Sequence, residues 1–243
     1  MKFEISIAIF NEEESLEAKI SELMHFLDCN FVYTKDVDFA VIIADNGSTD
    51  KSQSIAKKLE NAYPNLSYTR EDKLGVGRIL KRVWKESSAD YVGYMDLDLA
   101  TDLSHLKEVL QALEDGNDIV CANRLDAKSQ VIARTAKREF LSRSYNFFAR
   151  LILGTKFKDG QCGFKFLKRE VAQKLISTNL MSDGLFFASQ ILIFGEWLGY
   201  KIHQLPVKWT DSPASKIRLI GFSLECFREI LKTRKLKKEL KKF

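Results

Sequence analysis

The feature that most constrains the fold is an alternation of two sequence patterns over roughly the first half of the chain. Short apolar runs typical of buried strands alternate with segments whose apolar residues recur every three or four positions, as in helices. The strand-like runs cover residues 4–10, 39–44, 66–69, 91–95 and 118–122. This order predicts an α/β fold with a single mixed, mostly parallel sheet flanked by helices.

Polar residues follow four of these predicted strands at the point where each strand ends. They are Asn11 and Glu12, Asp45 and Asn46, Asp96 and Asp98, and Asn123 and Arg124. Ligands of open α/β sheets bind beyond the carboxyl ends of the strands. We therefore expect these four clusters to meet at one edge of the sheet and to form a binding site there.

The second half of the chain has a different pattern but no linker or internal repeat. It begins with a basic, aromatic-rich helix at 134–153, followed by a glycine-containing turn and strand, an apolar segment at 184–198 and a strand at 201–207. We expect one domain at 1–216, with a soft division near residue 125, followed by a separate C-terminal helix at 217–243.

The net charge of +5 is unevenly distributed, because residues 216–243 hold 10 basic and 3 acidic side chains. Apolar residues recur there at helical spacing, at Ile217, Ile220, Leu224, Phe227 and Leu231. This pattern predicts a basic amphipathic helix that binds an anionic membrane surface. A helix packed on the body with a solvated basic end is the alternative. Nucleic acid is not an expected partner, because charge alone supports it.

Other sequence features narrow the cellular setting. No run of about 20 apolar residues is available to span a bilayer, and no leader peptide is expected at the N-terminus. The four cysteines and three histidines lack the spacing of a zinc site. We expect a cytoplasmic protein, peripheral on the cytoplasmic face of a membrane.

The Asp96-Leu97-Asp98 sequence offers two carboxylates, one residue apart, at the end of a buried strand. Such a pair can share Mg²⁺ or Mn²⁺ with substrate phosphates, although a solvated acidic turn would have the same sequence. The glycines at 75 and 77 could let the backbone approach a phosphate. They match neither a P-loop nor a dinucleotide-binding motif, which argues against a kinase or a dehydrogenase.

Taken in order, these motifs resemble the family 2 glycosyltransferases of the GT-A fold over essentially the whole chain. The sequence Arg138-x4-Arg143-x2-Asn146, followed by the string at 159–165, is similar to the polyprenyl-phosphate glycosyltransferase branch of that family. That branch includes dolichyl-phosphate mannose synthase and dolichyl-phosphate β-glucosyltransferase. The Gln-Cys-Gly-Phe-Lys string and residues 98–101 are more similar to the glucosyltransferase.

The resemblance implies a role for each matching residue. It makes 1–125 the nucleotide-sugar half and 126–216 the acceptor half, with Asp96, Asp98 and Arg138 catalytic and the two aspartates as ligands of Mg²⁺ or Mn²⁺. The implied nucleotide-sugar-binding residues are Ala8, Phe10, Asn11, Glu12, Asp45, Asn46, Ser48, Lys73, Gly75, Asp96, Leu97, Asp98 and Arg124. The implied acceptor-binding residues are Arg138, Arg143, Gln161, Gly163, Phe164, Ser215 and Lys216.

Four positions depart from the family pattern. Ala8 replaces a proline, Lys73 replaces an asparagine, and Ala188 and Gln190 replace two carboxylates. A hydroxyl acceptor needs a general base, whereas a phosphate monoester is already an anion at neutral pH. The absence of these two carboxylates is therefore tolerable for an enzyme with a lipid-phosphate acceptor, and Asp159 or Asp183 could compensate for it.

The resulting expectation is an inverting, metal-dependent glycosyltransferase. It would move a hexose from a UDP-glucose or GDP-mannose type of donor to a polyprenyl or dolichyl phosphate. Two alternatives remain open at this point. One is a soluble family 2 enzyme with a glycan or other hydroxyl acceptor, and the other is a nucleotide-sugar-binding protein without turnover.

Overall fold

The computed structural model describes residues 1–31, 37–211, 219–240 and 242, with the side chains of 219–225 outside that description. The strands of the described part are β1 (Lys2–Ile9), β2 (Asp38–Asp45), β3 (Leu66–Arg70), β4 (Tyr91–Asp96), β5 (Ile119–Asn123), β6 (Gln130–Ile132), β7 (Phe164–Lys168), β8 (Ile202–Pro206) and β9 (Lys208–Thr210). The helices are α1 (Leu16–Phe31), α2 (Ser52–Ala62), α3 (Val76–Glu86), α4 (His105–Glu114), α5 (Ala136–Leu153), α6 (Arg169–Ser177), α7 (Phe187–Trp197) and α8 (Leu219–Leu240).

Seven strands form the main sheet in the order β3-β2-β1-β4-β7-β5-β8. All neighbouring pairs are parallel except those of β7, which is antiparallel to both β4 and β5. The predicted mixed, mostly parallel sheet is therefore confirmed. Because β7 and β8 come from the second half of the chain, the sheet crosses the predicted soft division near residue 125. The short strands β6 and β9 pair in a separate parallel ribbon.

Helices cover both faces of the sheet and create two apolar cores. One core holds the inward faces of α1, α2 and α4, and the other holds those of α3 and α5 to α8. The strands supply both cores because successive side chains point to opposite faces. In β1, for example, Ile5, Ile7 and Ile9 enter the first core, whereas Ala8 contacts the second.

The strand register brings the predicted polar clusters to one level. Ala8 pairs with Asp96 across β1 and β4, and Ile9 pairs with Asp45 across β1 and β2. The carboxyl ends of these three parallel strands therefore lie side by side, as the sequence predicted.

Helix α8 packs on the second core through a face other than the predicted apolar stripe. Its buried residues are Cys226, Ile230, Thr233 and Leu240. The predicted apolar stripe instead leaves Phe227 and Leu231 each 43% exposed, and its other members have no described side chains. Within the described ranges, we find no helix with the length and apolar character needed to cross a membrane.

Candidate active site

A cleft of about 1040 Å³ opens at the carboxyl edge of the sheet. The loops after β1, β4 and β5 line it, together with α5, the start of α7 and the segment after β9. This cleft brings together ten of the predicted site residues, namely Ala8, Asn11, Glu12, Asp96, Leu97, Asp98, Arg124, Arg138, Gln161 and Gly163.

The other predicted site residues lie elsewhere. Those described but away from the cleft lining are Phe10, Asp45, Asn46, Ser48, Lys73, Gly75, Arg143 and Phe164. Ser215 and Lys216 lie outside the described residues. Their assignments to nucleotide sugar or acceptor therefore stay predictions from the resemblance.

The turn after β2 supports the loop after β1. The buried Asp45 carboxylate accepts hydrogen bonds from the Tyr68 hydroxyl at 2.7 Å and from the Ser48 backbone N–H at 2.8 Å. Burial and this carboxylate raise the pKa of Tyr68 to about 12. The Ser48 hydroxyl in turn accepts from the backbone N–H of Asn11 at 3.0 Å. Asp45 and Ser48 thus hold in place a loop that lines the cleft.

The two glycines at the start of α3 make room for protein backbone. A Cβ at Gly75 would lie 2.6 Å from the Asp183 carbonyl oxygen, and one at Gly77 would lie 2.5 Å from that of Ser182. The backbone N–H of Gly75 also donates to Asn46 Oδ1 at 2.6 Å. These glycines give room to the 182–183 backbone, and the approach of their own backbone to a phosphate stays a prediction.

Asp96 and Asp98 both present exposed side chains where β4 ends. Desolvation by the surrounding protein and repulsion from Asp98 raise the pKa of Asp96 to about 7. Desolvation by the protein around it also raises the pKa of Asp98, whose Oδ1 accepts from the Ala100 backbone N–H at 3.1 Å. Neither carboxylate has an ion pair among the described residues. Negative charge on this pair is therefore uncompensated by an ion pair in the described part of the protein, and a bound cation would stabilise it.

The donor set at this position fits a divalent cation shared with a ligand. In the described part of the chain, no three His, Cys, Asp or Glu side chains are grouped as a closed metal cage. Mg²⁺ and similar ions are commonly held by one or two carboxylates together with substrate phosphates. Asp96 and Asp98 supply that number of protein ligands on the wall of an open cleft.

Gly163 leaves the space that the Asp96 carboxylate occupies. A Cβ at this position would lie only 2.2 Å from Asp96 Oδ2, and the Gly163 carbonyl accepts from the Asp96 backbone N–H at 3.1 Å. The preceding turn is fixed by Lys165, whose fully buried Nζ donates to the carbonyls of Gly160 and Cys162. The motif at 159–165 therefore positions the Asp96 carboxylate.

Two predicted arginines in the cleft are each bound by a carboxylate. Arg124 donates from Nε and Nη2 to Asp159 at 2.7 and 2.9 Å. Burial disfavours the ionised Asp159, but the charge of Arg124 and its hydrogen bonds outweigh this and lower the pKa of Asp159. Arg138 donates to Asp211. Sequence reasoning missed Asp211, which directly follows β9.

The positions at which the family pattern has two carboxylates, 188 and 190, hold neutral side chains in this chain. Ala188 and Ser189 line the cleft, and the Ser189 hydroxyl accepts from Tyr145 at 2.7 Å. Gln190 is buried, accepts from the Ser182 backbone N–H and donates to Thr233 of α8 at 3.0 Å. Gln190 therefore joins α7 to α8.

Neither suggested replacement carboxylate is positioned as a base. Asp159 is fully committed to Arg124, and Asp183 forms ion pairs with Lys81 at 2.6 Å and Arg78 at 2.7 Å. The hydrogen bond from Lys81 lowers the pKa of Asp183. Asp159 and Asp183 also lie outside the cleft lining.

Comparison with known proteins identifies the family. Residues 4–176 match the sequence profile described as glycosyl transferase family 2, so the chain belongs to that family. The predicted enzyme class, a glycosyltransferase, is confirmed at this level.

Curated relatives are similar over most of this chain. Glycosyltransferase AglD of Haloferax volcanii is 28% identical over 95% of this chain, which spans only 37% of that relative. A dolichyl-phosphate beta-glucosyltransferase of Dictyostelium discoideum is 28% identical over 95% of this chain and 73% of its own length. A Trichomonas vaginalis protein with the same descriptive name is 27% identical over 88% of this chain and 68% of its length.

A solved structure confirms the fold. Glucosyl-3-phosphoglycerate synthase from Mycobacterium tuberculosis, in complex with Mn²⁺, UDP-glucose and phosphoglyceric acid, superposes with a TM-score of 0.70. The match covers 96% of this chain and 79% of the other at 17% sequence identity. The predicted GT-A architecture is thus confirmed, and that neighbour binds a nucleotide sugar together with a metal ion.

Proposed function

We propose that this protein transfers a hexose from a nucleoside-diphosphate sugar to a polyprenyl phosphate, with inversion at the anomeric carbon. The observation that carries the proposal is the cleft itself. Its lining includes two carboxylates without ion pairs to described residues, Asp96 and Asp98, together with the arginines at 124 and 138. Relatives described as dolichyl-phosphate glucosyltransferases give independent support.

The charge distribution matches the two phosphate-bearing substrates. A divalent cation between Asp96, Asp98 and the donor diphosphate would stabilise the charge that develops on the leaving group. Arg124 and Arg138 present guanidinium groups, which are well suited to phosphate oxygens. We assign Asp96 and Asp98 to the metal and Arg138 to the acceptor phosphate.

The reaction needs no proton transfer at the attacking atom. An acceptor phosphate oxygen attacks the anomeric carbon, and the bond from that carbon to the diphosphate breaks on the opposite side. The attacking phosphate is already an anion near neutral pH, since its second pKa is about 6. The neutral Ala188, Ser189 and Gln190 are consistent with such an acceptor, whereas a hydroxyl acceptor would need a base.

A transfer assay with radiolabelled donors tests the function. We expect label from one member of a UDP- and GDP-sugar panel to enter an organic-extractable product when polyprenyl phosphate and Mg²⁺ or Mn²⁺ are present. Mild acid should release the labelled sugar from that product. Label in a water-soluble glycan would favour the hydroxyl-acceptor alternative, and donor binding without transfer would favour a binding protein.

We further propose that α5 and α8 attach the protein to an anionic membrane. Phe140, Phe147 and Leu151 are 70%, 54% and 69% exposed and lie along one side of α5. The Phe148 ring joins this side to α8, because its centroid lies 6.4 Å from that of Phe227. A folded protein rarely leaves so many large apolar side chains together in water.

Charge favours a lipid surface over a second copy of the chain. Arg143 is exposed on the same side of α5, and Arg228, Lys232 and Arg234 are exposed on α8. Symmetric pairing of two copies through this surface would bring its cations together. Anionic headgroups would neutralise them instead.

Vesicle flotation tests this attachment. We expect the wild-type protein to float with vesicles containing phosphatidylglycerol, and the double variant Phe140→Ser with Leu151→Ser to bind at least about 10-fold more weakly, because each substitution removes an inserted apolar side chain. Leu74→Ser is the matched control, since Leu74 is 64% exposed but lies on neither helix. Equal flotation of all three proteins would contradict the proposal.

A further inference from the structure

The three arginines that line the cleft differ in how their charges are compensated. Arg124 is held by Asp159 and Arg138 by Asp211, and both of those carboxylates are buried. The third, Arg134, has no such dedicated partner in the described part of the chain. It precedes α5 and was not predicted as a site residue.

The side chain of Arg134 is buried, but several of its hydrogen-bond donors lack partners among the described residues. Its side chain is only 8% exposed, and its Nε lies 3.3 Å from Glu139 Oε2 in an ion pair that lacks hydrogen-bond geometry. Glu139 is shared, because Arg143 donates to its Oε1 at 2.6 Å. Nε and Nη1 of Arg134 have no hydrogen-bond partner among the described residues, and Nη2 makes a long contact of 3.5 Å with the Arg138 carbonyl.

A second cation packs against the same aromatic ring as Arg134. The Arg124 and Arg134 guanidinium carbons are 5.1 and 5.6 Å from the centroid of the same Trp209 ring. Burial and the charge of Arg124 both lower the pKa of Arg134. The aromatic ring attracts both cations but does not remove their mutual repulsion. An anion within reach of both guanidinium groups would remove it.

We infer that Arg134 binds a phosphate group in the cleft, so that Arg134 and Trp209 join Arg124 in a phosphate site. A guanidinium can donate to two oxygens of one phosphate along an edge of its plane, whereas a lysine would offer only a point charge. This inference rests on the proposed function for its two candidate ligands. They are the diphosphate of the donor and the phosphate monoester of the acceptor.

Calorimetry with two probes identifies the ligand without requiring turnover. The first probe is UDP or GDP, whichever the wild-type protein binds, with Mg²⁺, and the second is inorganic phosphate added to the nucleotide complex. We expect Arg134→Met to weaken one of the two by roughly 10- to 100-fold, the range for a lost hydrogen bond to a charged group. Arg134→Lys should recover only part of that loss.

The two arms separate the two sources. Weaker nucleotide binding assigns Arg134 to the donor diphosphate. Normal nucleotide binding with weaker phosphate binding assigns it to the acceptor, and the KM for polyprenyl phosphate should then rise by a similar factor. Lys137→Met is the matched control, because Lys137 is an exposed cation on the first turn of α5 outside the cleft lining.

Wild-type affinity of folded Arg134→Met for both probes would overturn the inference. Loss of thermal stability in Arg134→Met would make Arg134→Lys the deciding variant, and full wild-type affinities in it would also overturn the inference. Because neither binding arm needs a product, failure to find lipid-linked sugar would contradict the proposed function while leaving the phosphate site standing.

Discussion

Replacing Asp98 with alanine is expected to lower the rate of sugar transfer by about 1000-fold or more. Loss of one of the two carboxylate ligands weakens binding of the cation that would neutralise the departing diphosphate. Such charge stabilisation contributes several kcal/mol to catalysis. The variant should fold normally, because the Asp98 side chain is exposed and its carboxylate accepts one backbone hydrogen bond, from Ala100. Steady-state transfer rates at saturating donor and acceptor, measured across a range of Mn²⁺ concentrations, test this.

The control for this variant is Glu86→Ala, which removes an exposed carboxylate from the end of α3 outside the cleft lining. It should transfer sugar at the wild-type rate. Calorimetric titration with Mn²⁺ in the presence of UDP or GDP should show weakened metal binding in Asp98→Ala only. Metal-dependent turnover at the wild-type rate in Asp98→Ala would contradict the assignment of Asp98 as a metal ligand.

The parts of the site that follow strands could be predicted from the sequence. A buried parallel strand has a clear apolar pattern, and its carboxyl end has a fixed place at one edge of the sheet. Asn11, Asp96, Asp98 and Arg124 therefore reached the same cleft as expected. The strand register, which pairs Ala8 with Asp96, is the physical reason.

Contacts between distant segments could not be predicted in the same way. Nothing near Arg124 in the sequence indicates that Asp159 binds it, and nothing near Gln190 indicates Thr233. The position of Arg134 on Trp209 likewise depends on how the segment before α5 meets the end of β9. Local periodicity does not predict such pairs, because it indicates only the face of a helix or strand on which a residue lies.

The orientation of α8 leaves exposed the apolar stripe that the sequence predicts for a membrane surface. Phe227 and Leu231 belong to the apolar stripe predicted from the sequence, but they are exposed, while Cys226, Ile230 and Thr233 pack on the body. Two faces of this helix carry apolar residues. Hydrophobicity alone does not determine which of them packs on the body of the protein. The exposed face continues that of α5, whose Tyr145 also lines the cleft. A membrane bound there would contact the same helix that lines the cleft in which we propose that the acceptor phosphate binds.

The Asp96 carboxylate occupies space that a side chain at position 163 would fill. Gly163→Ala is therefore expected to reduce the rate of sugar transfer by at least about 100-fold, the cost of displacing a catalytic group by about 1 Å. The new Cβ would lie 2.2 Å from Asp96 Oδ2, a distance at which one of the two groups must move. The carboxylate is the end of a side chain that faces an open cleft, whereas Gly163 is fixed by its hydrogen bond to the Asp96 backbone N–H. We therefore expect the carboxylate to leave the metal position while the fold is retained.

Gly184→Ala provides the comparison for this variant, because a Cβ at Gly184 would meet only Ser182 Oγ at an ordinary 3.7 Å. It should keep near wild-type activity and thermal stability. For Gly163→Ala, the melting temperature should stay close to that of the wild type while Mn²⁺ affinity in the presence of nucleotide falls together with the transfer rate. If instead the variant melted far earlier, the carboxylate would be unable to move aside, and the strain would reside in the β4–β7 pair. If activity and metal affinity were both unchanged, Asp96 would not need its present position, and Asp98 would have to hold the cation without it.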